Sequence, residues 1–244
     1  MKILITGASS GLGAELARQY ATKDNELILL ARREERLLKL RSELLNDVKT
    51  IEIIVADVTD FDDLQSKMQR VENLDILILN AGISVGHSKG FTPLQEFKNL
   101  YDVNLFSNHA ILEVLLPKLV EQKRGKIVFI SSLASLISMP TSKAYSSSKR
   151  ALNAYAESIR YGYKKDGIKV ITILPGFIKS ELTDKNSFKM PFLLDTKDGV
   201  KRIKKAIDAN KRLYAFPFRF YLSIKLLNLL PNFLRDKIVN SFIK

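Results

Sequence analysis

The chain has 244 residues, of which 46% are hydrophobic and 27% are charged, with 11 glycines and 7 prolines. This composition is typical of a folded globular protein and excludes collagen-like and low-complexity chains. The chain has no cysteine, which excludes disulfides, thiolate metal sites and a cysteine nucleophile. Its two histidines leave little scope for a metal site.

Positive charge is concentrated near the C-terminus. The chain carries 39 lysines and arginines against 26 aspartates and glutamates, a net charge of +13, and residues 185–244 hold 14 basic and 4 acidic residues. A basic surface of this kind serves nucleic acid, anionic lipid, a phosphorylated ligand or only the surrounding water. Charge alone leaves these four interpretations open.

Six short apolar runs alternate with amphipathic stretches along the chain. Residues 76–79 and 127–130 are apolar at every position, as expected for parallel strands that helices cover on both faces. The alternation predicts an α/β fold with one doubly wound parallel sheet. The predicted strands are residues 2–6, 26–31, 51–55, 75–79, 125–130 and 168–174. The first helix should follow Gly13, the second runs through residues 34–45, and Asp60 is the expected N-cap of the third.

The chain is expected to form one domain, residues 1–244, in the cytoplasm. Residues 1–6 already read as a strand, so we expect no signal or transit peptide. We expect no membrane-spanning helix either, because no run of about 18 apolar residues occurs. Residues 1–180 should form the core of the domain, and residues 181–244 a loop and a helical tail.

A glycine-rich turn joins the first strand to the first helix. Residues 6–13 read Thr-Gly-Ala-Ser-Ser-Gly-Leu-Gly. Glycines at this place permit a tight turn and let the backbone approach a pyrophosphate at the helix N-terminus. The turn indicates a dinucleotide site, although the usual spacing there is Gly-x-Gly-x-x-Gly. A purely structural turn is the alternative.

The end of the second strand distinguishes between two dinucleotides. An acidic residue there would bind the ribose hydroxyl of NAD, but this strand is followed by Arg32 and Arg33. Guanidinium groups suit a 2′-phosphate, and the helix dipole disfavours cations at a helix start unless an anion is present. The sequence therefore favours NADP(H), with two solvated arginines as the alternative.

Tyr145 and Lys149 lie one helical turn apart. An ammonium group at that spacing stabilises a phenolate and lowers the pKa of the tyrosine, so that the tyrosine becomes usable as an acid or a base. The pair is therefore a candidate for proton transfer.

The spacing alone is a weak signal, because Tyr161/Lys165 and Tyr221/Lys225 repeat it. Ser132 distinguishes the first pair, since it follows an apolar strand at the sheet edge where doubly wound folds place their chemistry. The other two pairs are interpreted as surface contacts.

With these residues in place, the sequence resembles the short-chain dehydrogenase/reductase family over about residues 1–180. Eight motifs carry the resemblance, in order: residues 6–13, Asp57, Asn80-Ala81-Gly82, Asn104, Ser132, Tyr145, Lys149 and Pro175-Gly176. The sequence departs from the common pattern at Leu79, Ser135 and Ser180, where Asn, Gly and Thr are frequent. The resemblance implies a Rossmann-like fold and hydride transfer between a nicotinamide cofactor and a carbonyl or alcohol.

The resemblance implies one catalytic unit of Asn104, Ser132, Tyr145 and Lys149. Tyr145 would protonate the carbonyl oxygen, or remove the proton in the reverse direction, and Ser132 would polarise that oxygen. Lys149 would hold the nicotinamide ribose and lower the pKa of Tyr145. Asn104 would hold a water that connects Lys149 to solvent.

The resemblance also implies the cofactor contacts. Asp57 would accept from the adenine amino group, and Asn80 would line the adenosine ribose. Ile178 and Ser180 would contact the nicotinamide carboxamide. Besides Tyr145 and Lys149, the expected cofactor-binding residues are Gly7, Ser9, Ser10, Gly11, Leu12, Gly13, Arg32, Arg33, Asp57, Val58, Asn80, Ala81, Gly82, Pro175, Gly176, Ile178 and Ser180.

Residues 181–197 take the place of the family's mobile substrate loop. They are apolar at Phe188 and at residues 190–194, so an apolar carbonyl or alcohol substrate would fit. Ordinary core packing is the alternative. Val200, Ile203 and Ile207 then predict an amphipathic helix with a solvated basic face.

Residues 216–231 are apolar on nearly all sides and too short to span a bilayer. Three places for their burial remain open: the chain's own substrate cleft, a homo-oligomer interface, and the inner face of an anionic membrane. Basic residues of the tail would help at a membrane: Arg219, Lys225, Arg235 and Lys237. Since many family members end instead in a glycine-rich segment used for tetramer packing, we expect a dimer or a peripheral membrane form.

No metal ion and no nucleic acid are expected as partners. His87 reads as a loop residue and His109 as a residue of the helix after Asn104, with no second ligand at metal spacing. No nucleic-acid recognition motif accompanies the basic charge. The complete catalytic set favours an NADPH-dependent reductase or dehydrogenase over the alternative, a cofactor-binding regulatory or membrane-associated scaffold protein on the same fold.

Overall fold

The computed structural model describes residues 1–85, 90–184, 186 and 190–241. Within these residues, seven parallel strands form one sheet in the order β3-β2-β1-β4-β5-β6-β7. The strands are β1 (Lys2–Thr6), β2 (Glu26–Ala31), β3 (Thr50–Val55), β4 (Ile76–Leu79), β5 (Gly125–Ile130), β6 (Ile168–Pro175) and β7 (Leu213–Phe216). The order reverses at β1 and β4, and ligands of doubly wound folds bind beside this point. The predicted sheet is confirmed.

Helices cover both faces of the sheet. They are α1 (Gly11–Tyr20), α2 (Glu34–Leu44), α3 (Phe61–Met68), α4 (Leu94–Tyr101), α5 (Ser107–Glu121), α6 (Lys143–Gly162), α7 (Thr196–Asp208), α8 (Phe218–Leu229) and α9 (Asn232–Ser241). Apolar side chains of α1, α2 and α7 pack on one face, and those of α3, α5 and α6 pack on the other. Because β4 lies between these layers, all four of its residues are buried. In the described part of the chain, no helix is long and apolar enough to cross a membrane.

The helix boundaries agree closely with the sequence pattern. α1 begins at Gly11, three residues before the expected start, because the glycine-rich turn tightens directly into the helix. Asp60 caps α3 as predicted, since its Oδ1 accepts from the Asp63 amide at 3.2 Å. The basic amphipathic helix is confirmed as α7, where Val200, Ile203 and Ile207 are buried.

β7 was not predicted. It has only four residues, and it pairs with β6, where Tyr214 lies opposite Ile173 and Phe216 lies opposite Pro175. A run this short is stabilised by its neighbour in the sheet and not by its own pattern. Its last residue brings the tail back to Gly176, whose amide donates to the Phe216 carbonyl at 2.7 Å.

Candidate active site

The glycine-rich turn lies between β1 and α1, and its glycines are required by close backbone contacts. Gly7 and Gly11 have φ angles of +66° and +52°, which residues other than glycine rarely adopt. A Cβ on Gly13 would lie 2.2 Å from the Gly7 carbonyl oxygen. Ser10 precedes α1 in the extended conformation and its side chain makes no capping hydrogen bond in the described chain. The turn therefore fits a phosphate-bearing cofactor. Because no side chain stands in the way, an anion there can accept hydrogen bonds from the backbone amides at the start of α1.

Asn80 ties the end of β4 to this turn. Its Nδ2 donates to the Thr6 carbonyl at 2.9 Å, and its backbone amide and that of Ala81 both donate to Thr6 Oγ1 at 2.9 Å. Thr6 is fully buried. The Asn80 side chain thus holds the turn in place. The sequence analysis predicted only a ribose contact for this residue.

Arg32 and Arg33 have different partners at the end of β2. The Arg32 Nη1 lies 3.2 Å from the Asp57 Oδ2. Burial favours a higher pKa for the Asp57 carboxyl, but hydrogen bonds from Thr59 and Arg32 outweigh it and lower the pKa. Arg32 thus contacts the predicted adenine-binding carboxylate, and both arginines stay candidates for a 2′-phosphate.

Arg33 lies among polar side chains of the turn. Its Nη2 donates to Ser10 Oγ at 2.6 Å and its Nε donates to Ser9 Oγ at 3.2 Å. Its Nη1 donates to the Glu181 carboxylate at 2.9 Å, which Arg36 also binds. Neither Glu181 nor Arg36 was among the predicted site residues, because no local pattern connects residues that are about 145 positions apart.

The predicted proton-transfer residues meet at the other end of the same cleft. Ser132 follows β5, and its hydroxyl shares a hydrogen bond with Tyr145 of α6. Ser132 Oγ also accepts from the Ala134 amide at 3.1 Å, so the hydroxyl is fixed in place. Burial raises the pKa of the Tyr145 phenol, and the hydrogen bond with Ser132 offsets part of that increase.

Lys149 is almost fully buried on the next turn of α6, at 4% exposure. Its Nζ donates to the Ile130 carbonyl at 3.0 Å and lies 5.9 Å from the centre of the Tyr145 ring. Burial lowers the pKa of Lys149 to about 8. The structure differs from the expectation that Lys149 lowers the pKa of Tyr145. In this form of the protein the pKa of Tyr145 is raised, and the ammonium group is bound to Ile130.

Asn104 lies in a π-helical turn, Asp102–Phe106, between α4 and α5. Its side chain accepts from the Ile83 amide at 2.9 Å and donates to the Ile83 carbonyl at 3.1 Å, while its Nδ2 also donates to Ser148 Oγ at 3.1 Å. Its carbonyl accepts from Asn108 Nδ2 at 2.9 Å. The water expected at Asn104 stays a prediction.

One cavity of about 420 Å³ connects both ends of the site. The predicted site residues line it, except Gly13, Asp57 and Asn104. These three contact residues in its wall, because Gly13 lies against Gly7, Asp57 binds Arg32, and Asn104 binds Ile83. The sequence thus identified residues that the fold brings together around one space.

The other Tyr/Lys pairs lie outside this cavity. The Tyr161 side chain is 61% exposed, and its hydroxyl donates to Glu157 at 2.8 Å. Lys225 lies 5.8 Å from the Tyr221 ring on α8. Tyr221 and Lys225 thus contact each other on α8, whereas Tyr161 contacts Glu157 and not Lys165.

The apolar loop is only partly packed. Phe192 and Leu193 are 49% and 38% exposed, and Leu194 packs against the core. Phe188 and His87 lie outside the described residues. His109 Nδ1 lies 2.8 Å from the Tyr155 hydroxyl, and no group of three potential metal ligands occurs among the described residues.

The tail packs against its own chain along one face. Ile224 of α8 is buried against Leu133 and Leu174, and Asn228 Nδ2 donates to the Leu136 carbonyl at 2.7 Å. The outward face is exposed, with its largest fractions at Phe218, Leu229 and Phe233. The tail is thus partly buried on its own chain, and its burial in the substrate cleft stays a prediction. The dimer and membrane interpretations concern the outward face and stay predictions.

Comparison with known proteins agrees with this geometry. The family model described as short chain dehydrogenase matches residues 1–190. An uncharacterized oxidoreductase of Myxococcus xanthus is 35% identical over 237 residues, which are 96% of this chain and 94% of that protein. An uncharacterized oxidoreductase of Mycobacterium tuberculosis is 36% identical over 224 residues, 89% of this chain and 88% of that protein.

Solved structures show the same fold. A short-chain dehydrogenase from Sphingobium yanoikuyae in complex with NADPH has a TM-score of 0.82 at 24% identity, over 89% of this chain and 88% of that one. A bulky-bulky ketone specific alcohol dehydrogenase from Comamonas testosteroni has a TM-score of 0.81 at 22% identity, over 95% of each chain. At these identities the likeness extends to the fold alone.

Proposed function

Since the chain belongs to the short-chain dehydrogenase/reductase family, we propose that it transfers hydride between NADP(H) and the carbonyl or alcohol group of an apolar small molecule, with Tyr145 as the general acid and base. One observation carries this proposal. Ser132 and Tyr145, which share a hydrogen bond, line the same cavity as Arg33. A cofactor bound along the glycine-rich turn would therefore reach the proton-transfer residues.

Tyr145 holds a proton at neutral pH. Burial raises the pKa of its phenol, so the hydroxyl is protonated before a carbonyl binds. Ser132 donates a second hydrogen bond to the same carbonyl oxygen and stabilises the charge that develops there. A bound nicotinamide supplies or accepts the hydride. Lys149 would then return a proton to the Tyr145 phenolate and regain one from solvent by way of the water expected at Asn104.

An aromatic cluster beside the cavity supports an apolar substrate. The Phe177 and Phe220 rings stack with centroids 6.0 Å apart, and Phe192 lies 6.1 Å from Phe220. A Cβ on Gly176, which lines the cavity, would lie 3.4 Å from the Phe220 ring. The cluster would thus form an apolar wall next to the reacting end.

Arg33 carries the proposed choice of NADP(H). We expect wild-type protein to bind NADPH at least tenfold more tightly than NADH, because a charge-assisted hydrogen bond to phosphate contributes about 1.5–3 kcal/mol. Arg33→Gln should remove most of this difference and leave NADH binding nearly unchanged. Fluorescence titration with both cofactors measures the two affinities.

Arg41→Gln is the matched control for this titration, because Arg41 is an exposed arginine in the last turn of α2 and should affect both cofactors alike. Preference for NADH in the wild-type protein would contradict the proposed cofactor. Oxidation of NADPH is then followed with a panel of apolar ketones and aldehydes. Turnover supports the reductase, whereas tight binding without turnover on any carbonyl would favour the regulatory scaffold.

Lys149 should make cofactor binding dependent on pH. Its pKa of about 8 means that it is a cation at pH 7 and loses its proton as the pH rises through 8. If the ammonium group holds the nicotinamide ribose, the Kd for NADPH should rise about tenfold between pH 7 and pH 9, since only the protonated form binds tightly. Calorimetry in buffers of different ionisation enthalpy should show proton uptake on binding above pH 8.

Lys149→Met should bind NADPH more weakly at pH 7 and show a flat profile over the same range. Lys169→Met provides a control, because Lys169 is an exposed lysine of β6 and should keep the wild-type profile. A slope that persists without Lys149 would assign the titration to another group.

A further inference from the structure

The Glu181 carboxylate forms ion pairs with Arg33 and Arg36 at the end of the cavity where the glycine-rich turn lies. Its Oε2 accepts from Arg33 Nη1 at 2.9 Å, and its Oε1 accepts from Arg36. Ser10, which binds Arg33 at 2.6 Å, also hydrogen-bonds the carboxylate. The hydrogen bond from Arg36 is the largest of the contributions that lower the pKa of Glu181 to about 2. The carboxylate is therefore charged throughout the neutral range.

This set of donors resembles a site for a phosphate group. Two guanidinium groups and a serine hydroxyl surround one anion, and guanidinium groups bind phosphate and carboxylate with the same planar geometry. A phosphate carries more charge than a carboxylate and has three acceptor oxygens. It would therefore compete well for these donors.

The carboxylate can leave without disturbing the fold. The Glu181 side chain is 52% exposed, so it can turn into water at little desolvation cost, and exposed ion pairs contribute little to stability. Thr183 holds the adjacent turn separately, because its Oγ1 donates to the Ile178 carbonyl at 3.0 Å and accepts from the Ser180 amide at 2.9 Å. Only the Glu181 side chain needs to move.

We propose that Glu181 occupies the position of the 2′-phosphate in the free protein and is displaced when a 2′-phosphorylated adenine nucleotide binds. The proposal rests on the proposed function, in which Arg33 binds that phosphate. A ribose hydroxyl carries no charge with which to displace it, so Glu181 lowers the affinity for the phosphorylated nucleotide without blocking the unphosphorylated one.

Glu181→Gln separates this role from a structural one. Calorimetry of the full-length protein with adenosine 2′,5′-bisphosphate and adenosine 5′-monophosphate compares two ligands that differ only in the 2′-phosphate. The substitution removes the competing charge at nearly constant size. We expect it to tighten binding of the bisphosphate about three- to fivefold, the upper part of the range of an exposed ion pair, and to leave the monophosphate unchanged within twofold.

Glu35→Gln is the matched control. Glu35 lies in the first turn of α2 beside Arg36 in sequence, and it makes no ion pair with any described residue. The variant changes the net charge by the same amount without vacating the donors. It should leave the ratio of the two affinities within twofold of the wild-type value.

The outcomes distinguish this proposal from the proposed function. If wild-type protein prefers the bisphosphate but Glu181→Gln does not tighten it, the displacement is wrong and the NADP(H) preference stands. If wild-type protein shows no preference and Glu181→Gln creates one, displacement stands and the proposed cofactor is wrong. If neither protein prefers the bisphosphate, both are wrong. If Glu181→Gln binds the monophosphate more weakly and the bisphosphate no more tightly, Glu181 accepts a hydrogen bond from the ribose hydroxyl. That result would overturn the proposal.

Discussion

Tyr145→Phe will lower the turnover number for the best carbonyl substrate of the panel about a thousandfold, within the range of 10²–10⁴ that a general acid contributes. The substitution removes one oxygen from a half-buried ring and leaves its packing in α6 intact. NADPH should bind within about threefold of wild-type affinity, because the glycine-rich turn and Arg33 are untouched. Stopped-flow oxidation of NADPH and fluorescence titration of the same sample measure the two quantities.

Tyr161→Phe is the matched control for this variant. Tyr161 has the same spacing to Lys165, but it lies on the surface with its hydroxyl on Glu157. Its turnover should equal that of the wild-type protein. If Tyr145→Phe kept more than a tenth of wild-type turnover, Tyr145 would not be the acid. If NADPH binding fell as far as turnover, the phenol would serve the cofactor site and not the chemistry.

Two kinds of sequence signal predicted the fold and most of the site. Apolar runs predicted six strands, because parallel strands buried on both faces must be apolar throughout. Arg33, Ser132 and Tyr145 each follow a strand or lie on a helix that returns to the same sheet edge. Once the order of the strands is assumed, the topology of the sheet brings these three residues close together.

The features that the sequence did not predict depend on long-range contacts. Glu181 binds Arg33, which is 148 positions away in the sequence. No sequence pattern around either residue predicts the other. β7 depends on pairing with β6. The direction of the Tyr145 pKa shift depends on burial and on the hydrogen bond with Ser132. Spacing along a helix does not determine either of these.

The glycine-rich turn allows a test of local geometry that needs no substrate. Gly13→Ala will destabilise the protein by about 3 kcal/mol, at the upper end of the cost of overpacking, and lower Tm by roughly 6–12 °C for a chain of this size. Its Cβ would lie 2.2 Å from the Gly7 carbonyl oxygen, a backbone atom that cannot rotate away. The same displacement should weaken NADPH binding at least tenfold, because the turn no longer fits against a pyrophosphate.

Two other glycines separate stability from binding. A Cβ on Gly167, at φ +77°, would lie 2.2 Å from the Lys123 carbonyl oxygen, so Gly167→Ala should destabilise the protein comparably and leave NADPH affinity unchanged. A Cβ on Gly162 would have no heavy atom of the described chain within 4 Å. Gly162→Ala should therefore change the free energy of unfolding by less than about 1 kcal/mol, in the stabilising direction. Thermal melts and NADPH titrations at 15 °C, where all variants should be folded, compare the three. Equal loss of affinity in Gly13→Ala and Gly167→Ala would mean that binding follows global stability, and the turn would lose its assignment as the pyrophosphate site.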